Sequence, residues 1–499
     1  MKRILLISSI SLLVMFVLSA CATNNEPIPE GNSGSMEDKK DDSPTDHDME
    51  GHMDHDEEVS LNNSAGENEL KIPPVLDSIS EDEVTYIVRA QKGETEIFDG
   101  TETKTYGYNG DFLGPVLRFS KGDNVKVRTV NELDEETTFH WHGLIVPGEA
   151  DGGPHESLNP GEEKFIEFKV KQEASTLWFH PHPDGKTAEQ VYNGLAGLVY
   201  IEDDNSKSLN LPNKYGENDI PLIFQDRTFD NERQLNYSAA KNEDGTIGET
   251  LLINGTLNPK LTVNQEKVRL RLLNGSNARN YTFKLNTGDS FVQVATDGGY
   301  LNEPKKLNTI TLTPSERAEV VIDFSQFNTK DELALINEVD GSILLPFEVS
   351  NQSGEDSSIP KEMNDFKITE DEMDLPVTKE VELFGMMDKV TINGKKFDPE
   401  RIDFTQEQGK TEVWEIYNKP DEMGGMIHPF HIHGAQFKVL SRTGEKPPEN
   451  EQGWKDTISV EPDETVKVAV QFKEKGVYMF HCHILEHEDN GMMGQIKVE

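Results

Sequence analysis

The chain has 499 residues, a length that favours two or three domains with sizeable cores. Lys and Arg number 48 against 92 Asp and Glu, a net charge of -44 that repels nucleic acid and favours cationic partners. Two cysteines exclude a disulfide framework and are too few for a zinc finger or an iron–sulfur cluster.

The first 21 residues have the features of an export signal. Lys2 and Arg3 precede a short apolar run that ends in L-S-A-C at Cys21 and is too short to span a bilayer comfortably. This ending resembles the bacterial lipobox, whose cysteine is lipidated; an ordinary signal cleaved nearby is the alternative. We therefore predict an exported protein that is lipid-anchored through Cys21 on the outer face of the cell membrane, or periplasmic.

Residues 22–71 predict a disordered acidic tail, because carboxylates predominate and large apolar side chains are almost absent. Within it, His47, His52 and His55 lie among methionines and carboxylates. Two compatible interpretations remain open. The segment is a solvated spacer, or it collects copper, since imidazole and thioether both suit that metal.

From about residue 72 the chain consists of short alternating segments separated by Gly, Pro and Asn, which is typical of all-β sandwiches. One pattern, a turn followed by an alternating strand that ends in Asn, recurs at Asn131, Asn274 and Asn418, 143 and 144 residues apart. A period of that length predicts three similar β-sandwich domains. Their bounds are 72–205, 215–352 and 364–499.

The first and third copies also share an F-H-x-H motif. It reads F-H-P-H in the first and F-H-C-H in the third, so Cys482 aligns with Pro181, and a following N-G motif aligns Met492 with Leu195. The middle copy has no histidine.

Ten of the 14 histidines form four clusters in the outer two copies. Their members are His140, His142, His180, His182, His428, His431, His433, His481, His483 and His487. His155 stands alone, and we interpret it as a surface or packed histidine. Because side chains at i and i+2 of a strand share a face, four H-x-H pairs supply eight imidazoles that converge if the outer domains pack together.

The remaining ligand types are two imidazoles, one thiolate and one thioether, from His428, His487, Cys482 and Met492. This is the blue-copper electron-transfer set. Zinc sites have little use for methionine. Because Cys482 lies between two cluster histidines, covalent bonds connect its site to the imidazole cluster.

These motifs, H-W-H-G, H-P-H, H-P-F-H-I-H-G and H-C-H-I-L-E-H-E-D-N-G-M-M, resemble those of three-domain multicopper oxidases across residues 72–499. The resemblance is closest to bacterial copper-efflux (cuprous) oxidases and laccases. It implies three cupredoxin-like Greek-key sandwiches, four copper ions, and four-electron reduction of O2 to water, mostly in a monomer.

The resemblance also implies the ligands. The type 1 copper would take His428, Cys482, His487 and axial Met492, and the type 2 copper His140 and His431. One type 3 copper would take His142, His180 and His483, and the other His182, His433 and His481. Asp151 and Glu488 match the family carboxylates that supply protons, which O2 reduction consumes.

The electron donor is less defined. Cuprous oxidases hold substrate Cu(I) with methionines and aspartates. Met426 matches one of these methionines, but Gly424 replaces an aspartate. Met386, Met387 and Asp388 could supply the other ligands. Soft thioethers and the acidic surface favour Cu(I), with a role in copper tolerance and side activity on phenols and Fe(II).

Three alternative functions differ in testable ways. A general laccase or ferroxidase would share every ligand, and a non-enzymatic copper-sequestering lipoprotein would consume no O2. A copper nitrite reductase is normally two-domain and lacks H-C-H between paired clusters, so the sequence argues against it.

Overall fold

The computed structural model describes residues 59–62, 66–80, 84–240, 245–354, 357–422 and 424–499. The predicted signal with Cys21 and the tail histidines His47, His52 and His55 lie outside these ranges. Among the described residues, no helix is long and apolar enough to cross a bilayer. The predicted all-β class is confirmed, because strands form six sheets and the helices are short.

The first two sheets enclose one apolar core. A short strand, β1 (Asn68–Glu69), precedes them. Their own strands are β2 (Val84–Phe98), β3 (Thr101–Tyr108), β4 (Val116–Ser120), β5 (Asn124–Asn131), β6 (Glu163–Lys169), β7 (Ser175–Phe179) and β8 (Gly197–Glu202). The strand orders are β3-β2-β5-β6 and β4-β8-β7. Short helices are α1 (Gly148–Asp151), α2 (Thr187–Tyr192) and α3 (Asp204–Ser208), with a 3-10 turn at Pro154–Glu156. Alternate residues of β5, such as Val125 and Val127, are buried in the core.

The middle pair of sheets is the largest. Its strands are β9 (Asp219–Arg227), β10 (Thr250–Ile253), β11 (Thr256–Leu257), β12 (Pro259–Gln265), β13 (Lys267–Asn274), β14 (Tyr281–Leu285), β15 (Phe291–Thr296), β16 (Gly299–Leu307), β17 (Thr309–Leu312), β18 (Arg317–Asp323), β19 (Leu333–Asn337) and β20 (Ile343–Ser353). A helix, α4 (Tyr237–Ala240), and a 3-10 turn, Phe324–Gln326, accompany them. The orders are β11-β10-β9-β13-β18-β15-β16 and β1-β12-β20-β19-β14-β17.

The presence of β1 in the middle domain corrects the predicted tail boundary. Asn68 and Glu69 pair in parallel with β12, while Leu61 and Leu70 are buried in the middle core. The prediction that the disordered tail runs to residue 71 was therefore wrong at its end. An acidic composition gives no signal of this edge strand, because the residues that bond it lie about 190 positions away in the sequence.

The third pair of sheets carries the C-terminal histidines. Its strands are β21 (Val377–Phe384), β22 (Thr391–Ile392), β23 (Phe404–Gln406), β24 (Thr411–Lys419), β25 (His428–Ile432), β26 (Phe437–Arg442), β27 (Trp454–Lys455), β28 (Thr457–Val460), β29 (Thr465–Gln471), β30 (Gly476–Cys482) and β31 (Met493–Val498). The helices are α5 (Glu370–Met373) and α6 (Leu485–Asp489), with 3-10 turns at Met387–Lys389 and Glu449–Glu451. The orders are β22-β21-β24-β29-β26-β27 and β23-β31-β30-β25-β28.

The recurring asparagine has the same structural role in all three domains. Asn131, Asn274 and Asn418 end β5, β13 and, one residue early, β24, and each is buried. Each side-chain amide donates hydrogen bonds to two backbone carbonyl oxygens at 2.7–2.9 Å. In each domain one bond reaches the loop that follows the asparagine and the other reaches a segment 27 to 42 residues away, so the asparagine connects the two at one end of the sandwich.

The first and third domains are in direct contact. Gly148 of α1 approaches Gly476 of β30 so closely that a Cβ on Gly148 would lie 2.7 Å from the Gly476 Cα atom. The Tyr478 hydroxyl donates to the Val146 carbonyl at 2.8 Å. Two backbone amides at the start of α2 donate to Asp489 of α6 at 2.9 and 3.0 Å. The packing on which the predicted cluster depends is therefore present.

Candidate metal centre

Strand pairing brings the H-x-H motifs together between the outer domains. His140 and His180 exchange backbone hydrogen bonds at 2.8 and 3.1 Å, and pairing of β25 with β30 places His431 opposite His481. Each motif then points two imidazoles in one direction. All eight imidazoles predicted to converge lie in one cluster, and none is more than 1% exposed.

The cluster contains three groups in which each residue offers one nitrogen, and these nitrogens lie within 4.8 Å of one another. The groups are His140, His142 and His431; His142, His180 and His483; and His182, His433 and His481. The last two are the two type 3 sets that the resemblance implies, and the first adds His142 to the implied type 2 pair.

His140 and His431 are oriented by backbone carbonyls. The Nδ1 of His140 donates to the Asp151 carbonyl oxygen at 3.1 Å, and that of His431 to the Asp456 carbonyl oxygen at 2.8 Å. A carbonyl oxygen only accepts, so the proton of each ring is on Nδ1 and the Nε2 lone pair is free. Neither Nε2 atom has a hydrogen-bond partner among the described residues.

His142 has the opposite orientation. Its Nε2 lies 3.0 Å from the Asp456 carboxylate, so Nδ1 carries the lone pair and has no partner among the described residues. The Nδ1 of His180 donates to the Pro181 carbonyl at 2.8 Å, which leaves its Nε2 free, and both nitrogens of His483 lack a partner. Each of the three rings therefore has a nitrogen without a hydrogen-bond partner among the described residues.

Three Nε2 atoms converge in the last group. The Nε2 of His481 lies 3.2 Å from that of His182 and 3.1 Å from that of His433. The Nδ1 of His433 donates to Asp151 at 2.7 Å, and the Nδ1 of His481 to the Cys482 carbonyl at 3.0 Å. Both protons are thus on Nδ1, and the Nε2 lone pairs of His433 and His481 face each other.

Burial favours the neutral, metal-binding form of most of these rings. Desolvation lowers the pKa of seven of the eight, with help from neighbouring imidazoles, and lowers the pKa of His481 to about 3. Buried, unpaired lone pairs cost free energy unless a cation binds them. Imidazole nitrogen suits copper, so the residues present fit copper ions.

A thiolate-type group lies in the third domain. The Cys482 Sγ is 3.4 Å from the Nδ1 of His428 and 3.7 Å from the Nδ1 of His487. Met492 is fully buried, and its carbonyl accepts from the Cys482 amide at 3.1 Å. Burial raises the pKa of the Cys482 thiol well above its ordinary value, so a bound cation is needed to hold the thiolate. The donor types are those of a blue-copper site.

Two buried carboxylates reach the imidazole cluster. One Asp151 oxygen lies 2.7 Å from the Nδ1 of His433 and 3.4 Å from the Nδ1 of His140. The Glu488 oxygens lie 3.3 Å from the Nε2 of His182 and 3.3 Å from the Nδ1 of His481. Burial and neighbouring acids raise the pKa of Glu488 well above its ordinary range. Both carboxylates are therefore next to the proposed cluster.

Two segments that contain the predicted Cu(I)-binding residues lie next to His428. Its imidazole hydrogen bonds the backbone of Gly385, the residue before Met386. Met386 is half-buried, whereas Met387 and Asp388 are exposed. Met426, two residues before His428, is half-buried and packs against the third-domain core. The structure thus brings both methionine segments to the strand end that carries His428.

His155 lies outside the cluster, as predicted, and its Nε2 is 2.8 Å from the Gln495 side-chain oxygen. Sequence reasoning missed Asp456, which contacts both His142 and His431. Nothing in the local sequence separates this residue from the other acids of the chain. The glycine of H-W-H-G, Gly143, allows the close approach, because a Cβ there would lie 2.5 Å from the Asp456 carboxylate, but it does not identify the approaching residue in the sequence.

The fold and site define a three-domain copper protein in which a thiolate site adjoins a histidine-lined cluster. Three models of the multicopper oxidase family match residues 89–206, 218–349 and 360–499. The multicopper oxidase mco of Staphylococcus haemolyticus is 53% identical over 93% of this chain and 100% of its own length.

Two solved structures are also similar. A multi-copper oxidase from Pediococcus acidilactici is 44% identical, with a TM-score of 0.85, over 89% of this chain and 94% of that one. The laccase-like multi-copper oxidase CueO from Ochrobactrum sp. has oxidase activity towards lignin model compounds. It is 34% identical, with a TM-score of 0.78, over 86% of this chain and 100% of that one. The chain belongs to the multicopper oxidase family. It is an oxidoreductase with three cupredoxin-like domains and four coppers that uses O2 as acceptor.

Proposed function

We propose that the residues divide the four coppers as the resemblance implies. The type 1 ion is held by His428, Cys482, His487 and Met492, and the type 2 ion by His140 and His431. The type 3 ions are held by His142, His180 and His483, and by His182, His433 and His481. The support is that every ring whose proton is fixed by a hydrogen bond keeps its other nitrogen unprotonated and able to bind a metal.

The observation that carries the proposed function is the position of Cys482. When bound, the coppers supply one-electron transfer from a donor to a cluster that reduces O2 to water. Cys482 belongs to the site that accepts electrons from the donor. Its two neighbours in the sequence, His481 and His483, belong to two different groups of the cluster. Covalent bonds therefore join the thiolate site to both groups, and the Cys482 carbonyl also accepts from the His481 ring.

Reduction of one O2 to two waters takes four electrons and four protons, and we assign proton delivery to two carboxylates. Asp151 and Glu488 are buried within 2.7–3.4 Å of cluster imidazoles. Bulk water is excluded from this region, so protons must pass through fixed groups. The raised pKa of Glu488 favours its protonated form, which can donate a proton.

We further propose Cu(I) as the favoured donor, with a role in copper tolerance and side activity on phenols and Fe(II). Half-buried Met386 and Met426 lie in the segments next to His428, and thioether sulfur selects Cu(I). The net charge of -44 raises the local concentration of any cation. Gly424 cannot supply the carboxylate that a cuprous oxidase carries there, so Asp388 is the acid we assign to this site.

The test is O2 uptake by copper-loaded protein with Cu(I), Fe(II) or a phenol as donor. In Met386→Leu and Met426→Leu, kcat/KM for Cu(I) should fall roughly tenfold, about 1.4 kcal/mol, with little change for the phenol. Met373→Leu is the matched control, because Met373 is an exposed methionine on α5. An equal loss for both donors would contradict a Cu(I)-binding role for the methionines.

Two alternatives are separated by the same assay. A general laccase or ferroxidase would oxidise the phenol or Fe(II) at least as well as Cu(I), and a copper-sequestering lipoprotein would consume no O2.

We also propose that the protein is exported and lipid-anchored through Cys21. A Cys21→Ser variant should then lose acyl labelling and leave the membrane fraction, whereas labelling that persists would refute the anchor.

A further inference from the structure

A buried ion pair joins the middle and third domains behind the imidazole cluster. The Nη1 and Nη2 atoms of Arg317, on β18, donate to the two carboxylate oxygens of Asp456 at 2.6 Å each. Both side chains are fully buried. The Arg317 Nε also donates to the Thr176 carbonyl of the first domain at 3.1 Å. All three domains therefore meet at one guanidinium group.

Asp456 also accepts hydrogen bonds from two cluster histidines. Its Oδ1 accepts from the Nε2 of His142 at 3.0 Å, and its backbone carbonyl accepts from the Nδ1 of His431 at 2.8 Å. The Thr457 hydroxyl lies 3.2 Å from both of these nitrogens and 3.0 Å from the Ser315 hydroxyl of the middle domain. Asp456 thus fixes which nitrogen of His142 and which nitrogen of His431 carries the proton.

The middle domain holds this segment at further points. The Lys455 Nζ lies 2.9 Å from the Asp297 carboxylate and 3.0 Å from that of Glu316. The Arg317 amide donates to Asp297 at 2.8 Å. These contacts surround Arg317 and Asp456 with charged partners, which a buried ion pair requires if it is to keep one geometry.

The motif glycine leaves space for the pair. Gly143 follows His142 with a φ of +85°, and a Cβ there would lie 2.5 Å from the Asp456 carboxylate and 3.0 Å from the Arg317 Nη2. The Gln436 amide donates to the Gly143 carbonyl at 2.9 Å and to Asp456 at 2.7 Å. The backbone beside the cluster histidine is therefore shaped around the ion pair.

We propose that Arg317 and Asp456 are positioning residues through which the histidine-free middle domain orients His142 and His431 toward copper. This inference rests on the proposed ligand assignment. A carboxylate held by Arg317 only accepts, so His142 must donate from Nε2 and keep the Nδ1 lone pair for the metal. An asparagine at 456 can present an NH2 group instead, which removes this constraint.

The experiment compares Asp456→Asn and Arg317→Gln with wild type by copper content per chain, the near-ultraviolet absorption of the type 3 copper pair, and blue absorption. Loss of such supporting contacts typically costs 10–100-fold in metal affinity or activity, so we expect that loss in type 3 copper retention and turnover, because the Asp456 carboxylate bonds His142. The blue absorption should persist, because Asp456 contacts none of the type 1 ligands among the described residues.

Asp219→Asn is the matched control. Asp219 forms a buried, two-pronged pair with Arg271 at 2.6 and 2.9 Å inside the middle domain. The control should lower the melting temperature while leaving the type 3 signal unchanged. The inference is overturned if Asp456→Asn retains wild-type type 3 copper and turnover, or if Asp219→Asn loses them equally. A wild type with neither blue absorption nor a type 3 signal would instead overturn the ligand assignment, and this inference with it.

Discussion

The first and third domains share one frame, yet only the third has a thiolate site. Where the third domain has His428, Cys482, His487 and Met492, the first has Thr137, Pro181, Gln190 and Leu195. The Leu195 amide donates to the Gln190 carbonyl at 3.2 Å, as the Met492 amide does to the His487 carbonyl at 2.8 Å. The backbone of the site is thus present in both domains.

The difference lies in how the buried polar groups are satisfied. In the first domain, the Thr137 hydroxyl donates to the Gln190 side-chain oxygen at 2.7 Å, so these two positions need no ligand. In the third domain, the Nδ1 atoms of His428 and His487 lie 3.4 and 3.7 Å from the Cys482 sulfur. These three polar groups therefore form no strong hydrogen bonds with one another when no metal is bound. The fold supplies the position, and the side chains decide whether a metal is required.

Cys482→Ser removes the residue that most clearly separates the two domains, and it should have the largest effect. Because a hydroxyl does not replace a thiolate as a copper ligand, we expect loss of the blue absorption and of steady-state oxidation together. Absorption spectroscopy and O2 uptake check this. A variant that stays blue and active would show that the thiolate site has been assigned to the wrong residues.

Glu488→Gln tests the carboxylate of α6, which aligns with the buried, apolar Val191 of the first domain. Loss of a proton donor should lower kcat by about 10²–10⁴-fold while copper content and blue absorption remain. Glu486→Gln is the control, since that buried carboxylate hydrogen bonds Thr246 and Asn277 instead. Equal losses in the two variants would point to disruption of the helix and against proton delivery.

Pro181→Cys introduces the third domain's residue into the first, and it should have the smallest effect. Thr137 and Gln190 remain bonded to each other, so the new sulfur gains no imidazole partner and no second blue site should form. Copper content and the blue band per chain should match wild type. An additional blue band would show that the thiolate alone specifies the site.

The sequence was sufficient for the site wherever ligand spacing follows strand geometry. The H-x-H alternation and the 143- and 144-residue repeat predicted convergence of the eight imidazoles once the outer domains pack together, because both patterns recur visibly along the chain. Asp456 and Arg317 were not predictable, since their pairing joins residues 139 positions apart that carry no motif. The edge strand at Asn68–Glu69 escaped prediction for the same reason.

The most direct test of the account is the ratio of donor oxidised to O2 consumed by copper-loaded protein. Four one-electron donors per O2, with no O2 returned when catalase is added, is the result expected of a thiolate site feeding the cluster. Two donors per O2 with release of hydrogen peroxide, or no O2 uptake, would contradict it.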